Sequence, residues 1–195
     1  MARKDRPVIT AALLLQAYAN GFFPMADEVH GIQWHNPDPR AIIPLDQLQA
    51  NARLARFLRN NRYRCTIDTC FERVIRACAH RPSTWISEEI IQLYIDLHRT
   101  GHAISAETWK DEELIGGLYG VTIGSAFFGE SMFSARTNGS RAALYHLAAY
   151  LRKAGYRLFD TQYVNDHTRS LGAIEIPRVE YQRTLAEAIN IQPIH

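Results

Sequence analysis

Apolar positions along this chain recur at two spacings, and the densest of them form its centre. Leu114–Ser134 reads LIGGLYGVTIGSAFFGESMFS, two apolar runs separated by Gly124-Ser125. Gly-Ser between such runs predicts a β-hairpin. Gly116, Gly117, Gly120, Gly124 and Gly129 fall inside it. Glycine weakens a strand, so its density here predicts a bulge or the close approach of another backbone or a ligand. With a strict period of two, Glu130 shares its face with Phe128 and Met132. A carboxylate in that company is either paired or shifted in protonation.

The flanking pattern supplies the other elements. Thr10 caps a helix whose face is Leu13, Leu14, Ala17 and Tyr18, and Gly21 ends it. An aromatic turn follows at Asn20–Met25. Strands are predicted over Ile32–His35 and Arg40–Leu45, separated by the proline-bracketed Asp38. A helix over Leu48–Asn61, a strand over Tyr63–Asp68 and a helix over Cys70–His80 come next. Ser87 caps a helix that runs to Arg99, with Glu88 and Glu89 in its first turn. His102–Trp109 alternates as a strand that enters the hairpin. Asn138–Ala154 is a long helix with an apolar face of Leu144, Leu147, Ala148 and Leu151. Arg157–Tyr163 is apolar on both sides, the mark of a buried strand. Strand, helix and strand over Ala126–Tyr163 therefore predict a parallel, right-handed crossover. A short helix opened by Asn165 or Asp166 and a closing helix, Val179–Ile189, complete the chain.

At 195 residues, 47% hydrophobic and 22% charged, the chain can bury one good core or a core with a small satellite. The net charge of +2 supports no global argument for nucleic acid. Its distribution does: Asn51–Pro82 holds eight arginines against Asp68 and Glu72. Arg53, Arg56, Arg59 and Arg62 lie on or just past one predicted helix. Such a series is either a solvated helix face or a phosphate-contacting patch. Cys65, Cys70 and Cys78 have neither CxxC spacing nor a disulfide framework, which suits a reducing, cytoplasmic compartment and points to no metal site. The apolar run Val8–Leu15 leads into a helical pattern, unlike a cleaved leader. No run reaches the ~18 residues that a membrane span needs.

The candidate chemistry sits beside the hairpin. Asp160 and Gln162 are two apart on the buried strand, so both point to one face. There they either hold the sheet in a polar network, against an arginine for example, or polarise an acceptor at the strand's carboxyl end. Trp85, in a loop, can stack on a base or staple the next helix. His167, beside a helix cap, reads as structural.

Taken together, certain segments resemble one family, the bacterial leucyl/phenylalanyl-tRNA–protein transferases. They are Gly21–Pro24, Trp34 with Pro37–Arg40, Thr84–Ile86, Gly101–Ala103, Ser105–Glu107, Gly116–Val121, Phe128–Ser134, Asp160–Gln162 and Ser170–Ala173. GGLYG, then FFGESMFS, then DTQ is the specific part of that ordered set. The resemblance implies an α+β fold: an acetyltransferase-like (GNAT) mixed sheet flanked by helices over 63–195, with a smaller N-terminal α/β domain over 1–62. It implies transfer of leucine or phenylalanine, less often methionine, from charged tRNA to the N-terminal arginine or lysine of a protein, which marks that protein for degradation. Glu130, Asp160 and Gln162 would stand at the reacting centre. Trp85 and the position of Met25, tryptophan in many members, would flank the terminal adenosine. Leu118, Phe127, Met132, Leu147 and Leu151 would line the amino-acid pocket, with Asn165 among the substrate-binding residues. No cofactor is implied, and a cytoplasmic monomer is expected.

An aminoacyl ester is already activated, so what remains is to align an amine and stabilise an oxyanion. In that scheme Asp160 orients Gln162, whose carbonyl accepts a hydrogen bond from the amine, and Glu130 holds the cationic acceptor. Backbone N–H groups of the glycine-rich strands serve the oxyanion. Two competing readings stand beside it: a small-molecule N-acyltransferase using acyl-CoA on the same fold, and an RNA-binding module built on the arginine helix. The segment Ser134–Thr137 lacks the glycine-rich pyrophosphate loop that the first would need.

Overall fold

The computed structural model describes residues 9–27, 31–80 and 86–194. Helix α1, Ala11–Ala19, begins where Thr10 accepts a hydrogen bond from the Leu13 N–H. Strands β1, Phe23–Asp27, and β2, Gly31–His35, pair as a two-stranded antiparallel sheet. The expected aromatic turn thus runs into the first strand of this antiparallel pair, with Phe23 buried and Phe22 exposed.

β3 is only Arg40–Ile42, because the chain then turns to bury Ile43, Leu45 and Leu48. Helix α2, Ala52–Asn60, starts four residues later than the apolar pattern predicts. Asn51 caps it through the Leu54 N–H. The carbonyls of Leu45 and Leu48 meanwhile accept from Arg152 Nη1, each at 2.7 Å, so they are held outside the helix. β4, Tyr63–Ile67, α3, Phe71–Ala79, and α4, Glu88–Arg99, follow as expected, with Ser87 capping α4.

β5, Ala103–Lys110, β6, Glu113–Ile123, and β7, Ala126–Ser134, form an antiparallel meander with Gly124 in the β6–β7 turn. Helix α5, Gly139–Lys153, crosses to β8, Leu158–Gln162, which pairs parallel with β7. Helix α6, Asp166–Ser170, β9, Ile174–Ile176, and α7, Arg178–Ala188, end the chain. The large sheet has seven strands in the order β4-β5-β6-β7-β8-β3-β9 and is mixed, β7–β8 being its parallel pair. The architecture is α+β, a mixed sheet flanked by helices.

Alternation divides the core between the two sheet faces. Tyr119, Val121, Phe128 and Leu158 pack with residues of α1, α3, α4 and α7. Leu118, Phe127 and Phe159 pack with the apolar face of α5. Gly116 lets α5 lie this close: a Cβ there would stand 2.3 Å from the Gly139 carbonyl carbon. Buried Glu107 replaces the side-chain cap that Cys70 does not make at α3. It accepts from the N–H groups of Thr69 and Cys70 and from the hydroxyls of Thr66 and Ser105.

Candidate active site

Asp160 sits on β8, an interior strand of the large sheet, and is wholly buried. Its Oδ1 accepts from Arg40 Nε at 2.9 Å and from the backbone N–H of Gln162 at 2.8 Å. Its Oδ2 accepts from Arg40 Nη2 at 2.5 Å and from the Tyr181 hydroxyl at 2.8 Å. Arg40 is equally buried, lies between the rings of Phe23 and Tyr181, and donates Nη1 to the Gly21 carbonyl. A buried carboxylate is tolerated only with such complete pairing. The consequence falls on Gln162. Its φ is +68°, a left-handed conformation costly for a residue with a side chain. The hydrogen bond from its N–H to Asp160 helps to fix that turn.

The amide reaches Glu130. Gln162 Nε2 donates to Glu130 Oε1 at 3.0 Å, the Tyr18 hydroxyl donates to the same oxygen at 2.7 Å, and the Tyr94 hydroxyl is hydrogen-bonded to Oε2 at 3.0 Å. The phenols of Tyr18 and Tyr94 are themselves 2.6 Å apart. Burial pushes the Glu130 carboxyl up to about 7; the two tyrosines favour its ionised form but do not offset the lost hydration. Burial, then the nearby Glu130, raises both phenols well above their ordinary range, so they remain protonated near neutrality.

The backbone reason for this meeting is a bulge. Gly120 pairs with Gly129 and Tyr119 with Ser131, so Glu130 is the extra residue in β7. The strict period of two is broken there. Phe128 packs on the α1–α4 face, whereas Met132 packs on the α5 face. Glu130 therefore does not share a face with both, as alternation had predicted. It stands at the edge between two cavities.

One cavity, of about 240 Å³, is bordered by Met25, Leu118, Glu130, Met132, Gln162 and Asn165, all expected at the site, and by Ile43, Leu144, Phe159, Thr161 and Leu171, which were not. The other, of about 840 Å³, shares Glu130, Met132, Asn165 and His167 with it and extends to His80 and Ala77 of the α3 end. Three residues expected to line the pocket lie behind it. Phe127, Leu147 and Leu151 are fully buried in the core cluster behind the first cavity and do not border it. The helical spacing put Leu147 and Leu151 on the right face of α5, but only Leu144 on that face is near enough to the cavity. Asn165 caps α6 through the Thr168 N–H, as read, while also bordering both cavities. Trp85 lies outside the described residues. Arg53, Arg56, Arg59 and Arg62 are exposed, and none borders either cavity; Arg53 faces a separate hollow with Arg141.

Residue patterns alone did not disclose Arg40, Tyr18, Tyr94 and Tyr181 as members of this network. Tyr18 sits on the apolar face of α1 and Tyr94 on that of α4, where a tyrosine reads as core. Among the described residues, no group of three or more His, Cys, Asp or Glu side chains could hold a metal ion. No helix among them is long and apolar enough to cross a membrane.

Comparison with known proteins agrees on one family. The family model for leucyl/phenylalanyl-tRNA protein transferase matches residues 42–186, and the model for the N-terminal domain of that protein matches residues 8–38. The leucyl/phenylalanyl-tRNA–protein transferase of Gloeobacter violaceus is 53% identical over 182 residues, 93% of this chain and 94% of that one. That of Paramagnetospirillum magneticum is 50% identical over 188 residues, 93% of this chain and 90% of its own. Among solved structures, L-PGS from Bacillus licheniformis aligns over 80% of this chain and 50% of its own, at a TM-score of 0.43 and 14% identity, too distant a likeness to assign anything. On the two family matches and these relatives, the chain belongs to the leucyl/phenylalanyl-tRNA protein transferase family, a family of transferase enzymes.

Proposed function

We propose that this protein transfers leucine or phenylalanine, and less often methionine, from aminoacyl-tRNA to proteins beginning with arginine or lysine, making a signal for degradation. The observation that carries the reading is the linked pair Glu130–Gln162 on the rim of a small apolar cavity, with Asp160 beneath. The cavity is bordered by Leu118, Met132, Leu144 and Phe159, and its volume suits an apolar side chain. An apolar wall without a deep polar group separates leucine from phenylalanine weakly, because a methylene is worth only ~1–3 kcal/mol.

With Nε2 engaged on Glu130, the Gln162 carbonyl is the atom left to accept a hydrogen from the attacking amine. Asp160 acts through the backbone of Gln162 and is a positioning residue in this scheme. Glu130 faces the larger cavity as well, where it would receive the cationic acceptor. Gly129 also borders the smaller cavity, and backbone N–H groups nearby are the proposed oxyanion donors. Met25, exposed on β1, with Trp85, would hold the terminal adenosine, and Asn165 would contact the substrate. The exposed Arg53, Arg56, Arg59 and Arg62 would meet tRNA phosphates.

The β7–α5–β8 crossover in a mixed sheet supports an acetyltransferase-like core. Placement of β3 in the large sheet favours a division from the N-terminal unit nearer residue 38 than residue 62. A cytoplasmic monomer that uses no cofactor fits this activity. The deciding assay mixes the protein with labelled leucyl-tRNA and a peptide beginning with arginine. Label appears in the peptide, and an otherwise identical peptide beginning with serine stays unlabelled. Absence of label from both peptides would remove the reading.

A further inference from the structure

Counting hydrogens around Glu130 gives a result that the site's role does not by itself require. Three oxygen–oxygen contacts close a ring: Tyr18 to Glu130 Oε1 at 2.7 Å, Tyr94 to Glu130 Oε2 at 3.0 Å, and Tyr18 to Tyr94 at 2.6 Å. All three are hydrogen-bond distances for hydroxyl donors. Each contact needs one hydrogen, and each phenol carries one. An ionised carboxylate only accepts, so if both phenols donate to it, two bare oxygens face each other at the shortest contact of the three. A single phenol hydrogen divided between two acceptors would leave both contacts long. The third hydrogen has one remaining place, the carboxyl group. Placing it on Oε2 satisfies every atom: Oε2 donates to Tyr94, Tyr94 donates to Tyr18, and Tyr18 donates to Oε1, which also accepts from Gln162 Nε2.

We propose that Glu130 stands as a neutral carboxylic acid before an acceptor binds, sharing three protons in a ring with Tyr18 and Tyr94, and that entry of a cationic acceptor expels one proton from this ring. The proposal rests on the reading above, in which the cavity at Glu130 receives the positively charged end of an acceptor. The exchange balances: the carboxylic acid and an incoming ammonium or guanidinium become a carboxylate paired with that cation, and one proton passes to solvent. Once the proton has gone, two hydrogens serve three contacts. The Tyr18–Tyr94 contact then opens, and with it the seam where α1 packs on α4.

The charged surroundings favour the neutral resting form. Among the described residues, α1 presents Tyr18, α4 presents Tyr94, and β8 presents Asp160, whose negative charge opposes ionisation of Glu130. Arg40 of β3 favours ionisation but is already engaged by both oxygens of Asp160. Tyr119 of β6 sits edge-on to Tyr94. Tyr181 of α7 faces Asp160. His167 and His80 border the larger cavity. No cation among these replaces the missing proton.

The test reads the carboxyl group directly. Protein carrying ¹³C-labelled glutamate side chains is titrated by NMR, alongside Glu130→Gln, whose neutral amide can donate and accept in the same places but cannot ionise. The expected result is one neutral-acid resonance at pH about 6, ionising near 7 and absent from Glu130→Gln. A peptide beginning with arginine should abolish that resonance and release one proton, measured by calorimetry in two buffers of different ionisation heat. Tyr18→Phe should move the midpoint upward, because the carboxylate loses a donor, a response that a purely packing role for Tyr18 would not give. A Glu130 ionised throughout this range overturns the proposal, as does peptide binding without proton release or failure of the peptide to bind. Failure of label transfer in the assay above, with the neutral resonance present and displaced by peptide, would instead remove the transferase reading and leave the ring standing.

Discussion

Gln162 and Asp160 do different work, and substitutions should separate them. Gln162 is already in a left-handed conformation that suits glycine better than glutamine. Gln162→Gly should therefore change stability by less than about 1 kcal/mol while abolishing transfer, read by denaturant unfolding beside the label assay. Asp160→Ala leaves the buried Arg40 guanidinium without its partner and should cost about 3–5 kcal/mol. Its loss of activity would come with loss of the fold, so Gln162 is the better probe of the reaction. At Glu130 the sign of the pH effect can be worked out. Folding raises its carboxyl from an ordinary 4.5 to about 7, so the folded protein holds that proton more tightly than the unfolded chain. The associated stability is complete below about 4.5 and is lost as pH rises through about 7. Relative to wild type, the melting temperature of Glu130→Gln should therefore climb across that window and level off above it. A constant difference would show that Glu130 does not titrate there. Alternation along β8 put Asp160 and Gln162 near one another, which was readable. That Arg40, 120 positions earlier in the chain, would neutralise Asp160 was not, because an ion pair across that separation exists only once β3 lies beside β8.

Among the elements, the β6–β7 hairpin and the α5 crossover carry the site. Glycine density in the hairpin signalled a bulge or a close approach, and it contains both: the extra residue at Glu130 and the seat of α5 on Gly116. Gly116→Ala should force α5 off β6, costing at least about 1–3 kcal/mol and lowering transfer, because α5 supplies Leu144 to the cavity. Circular dichroism melts beside the transfer assay would measure both effects. Met132 borders the same cavity and is only partly buried, so Met132→Ala should fold and widen the cavity. The ratio of phenylalanine to leucine transfer should then rise by roughly ten-fold. Helix α2 teaches the converse lesson. Its apolar pattern extends back to Leu48, yet the helix begins after Asn51, since Arg152 of α5 claims the preceding carbonyls. Local periodicity carries no information about a competitor on another element.

For the whole molecule, charge asymmetry is the feature that composition hid. A net charge of +2 conceals the exposed series Arg53, Arg56, Arg59 and Arg62, which stands away from both cavities. If these side chains meet tRNA phosphates, replacing each by alanine should weaken tRNA binding and flatten its salt dependence by roughly 0.7–0.9 in log–log slope per lost contact. Turnover at saturating tRNA should hardly change. Most of the order of elements, the hairpin, the parallel crossover and the helix caps at Thr10 and Ser87 were determined by sequence alone. They rest on periodicity and on hydrogen bonds made within a few residues. Tertiary structure decided which side chains meet. It placed Tyr18 and Tyr94, 76 positions apart, against one carboxyl group, and it turned Glu130 to the edge between two cavities through a bulge whose register depends on the neighbouring strand. Those contacts require the sheet and its covering helices to be packed, so no local pattern could record them.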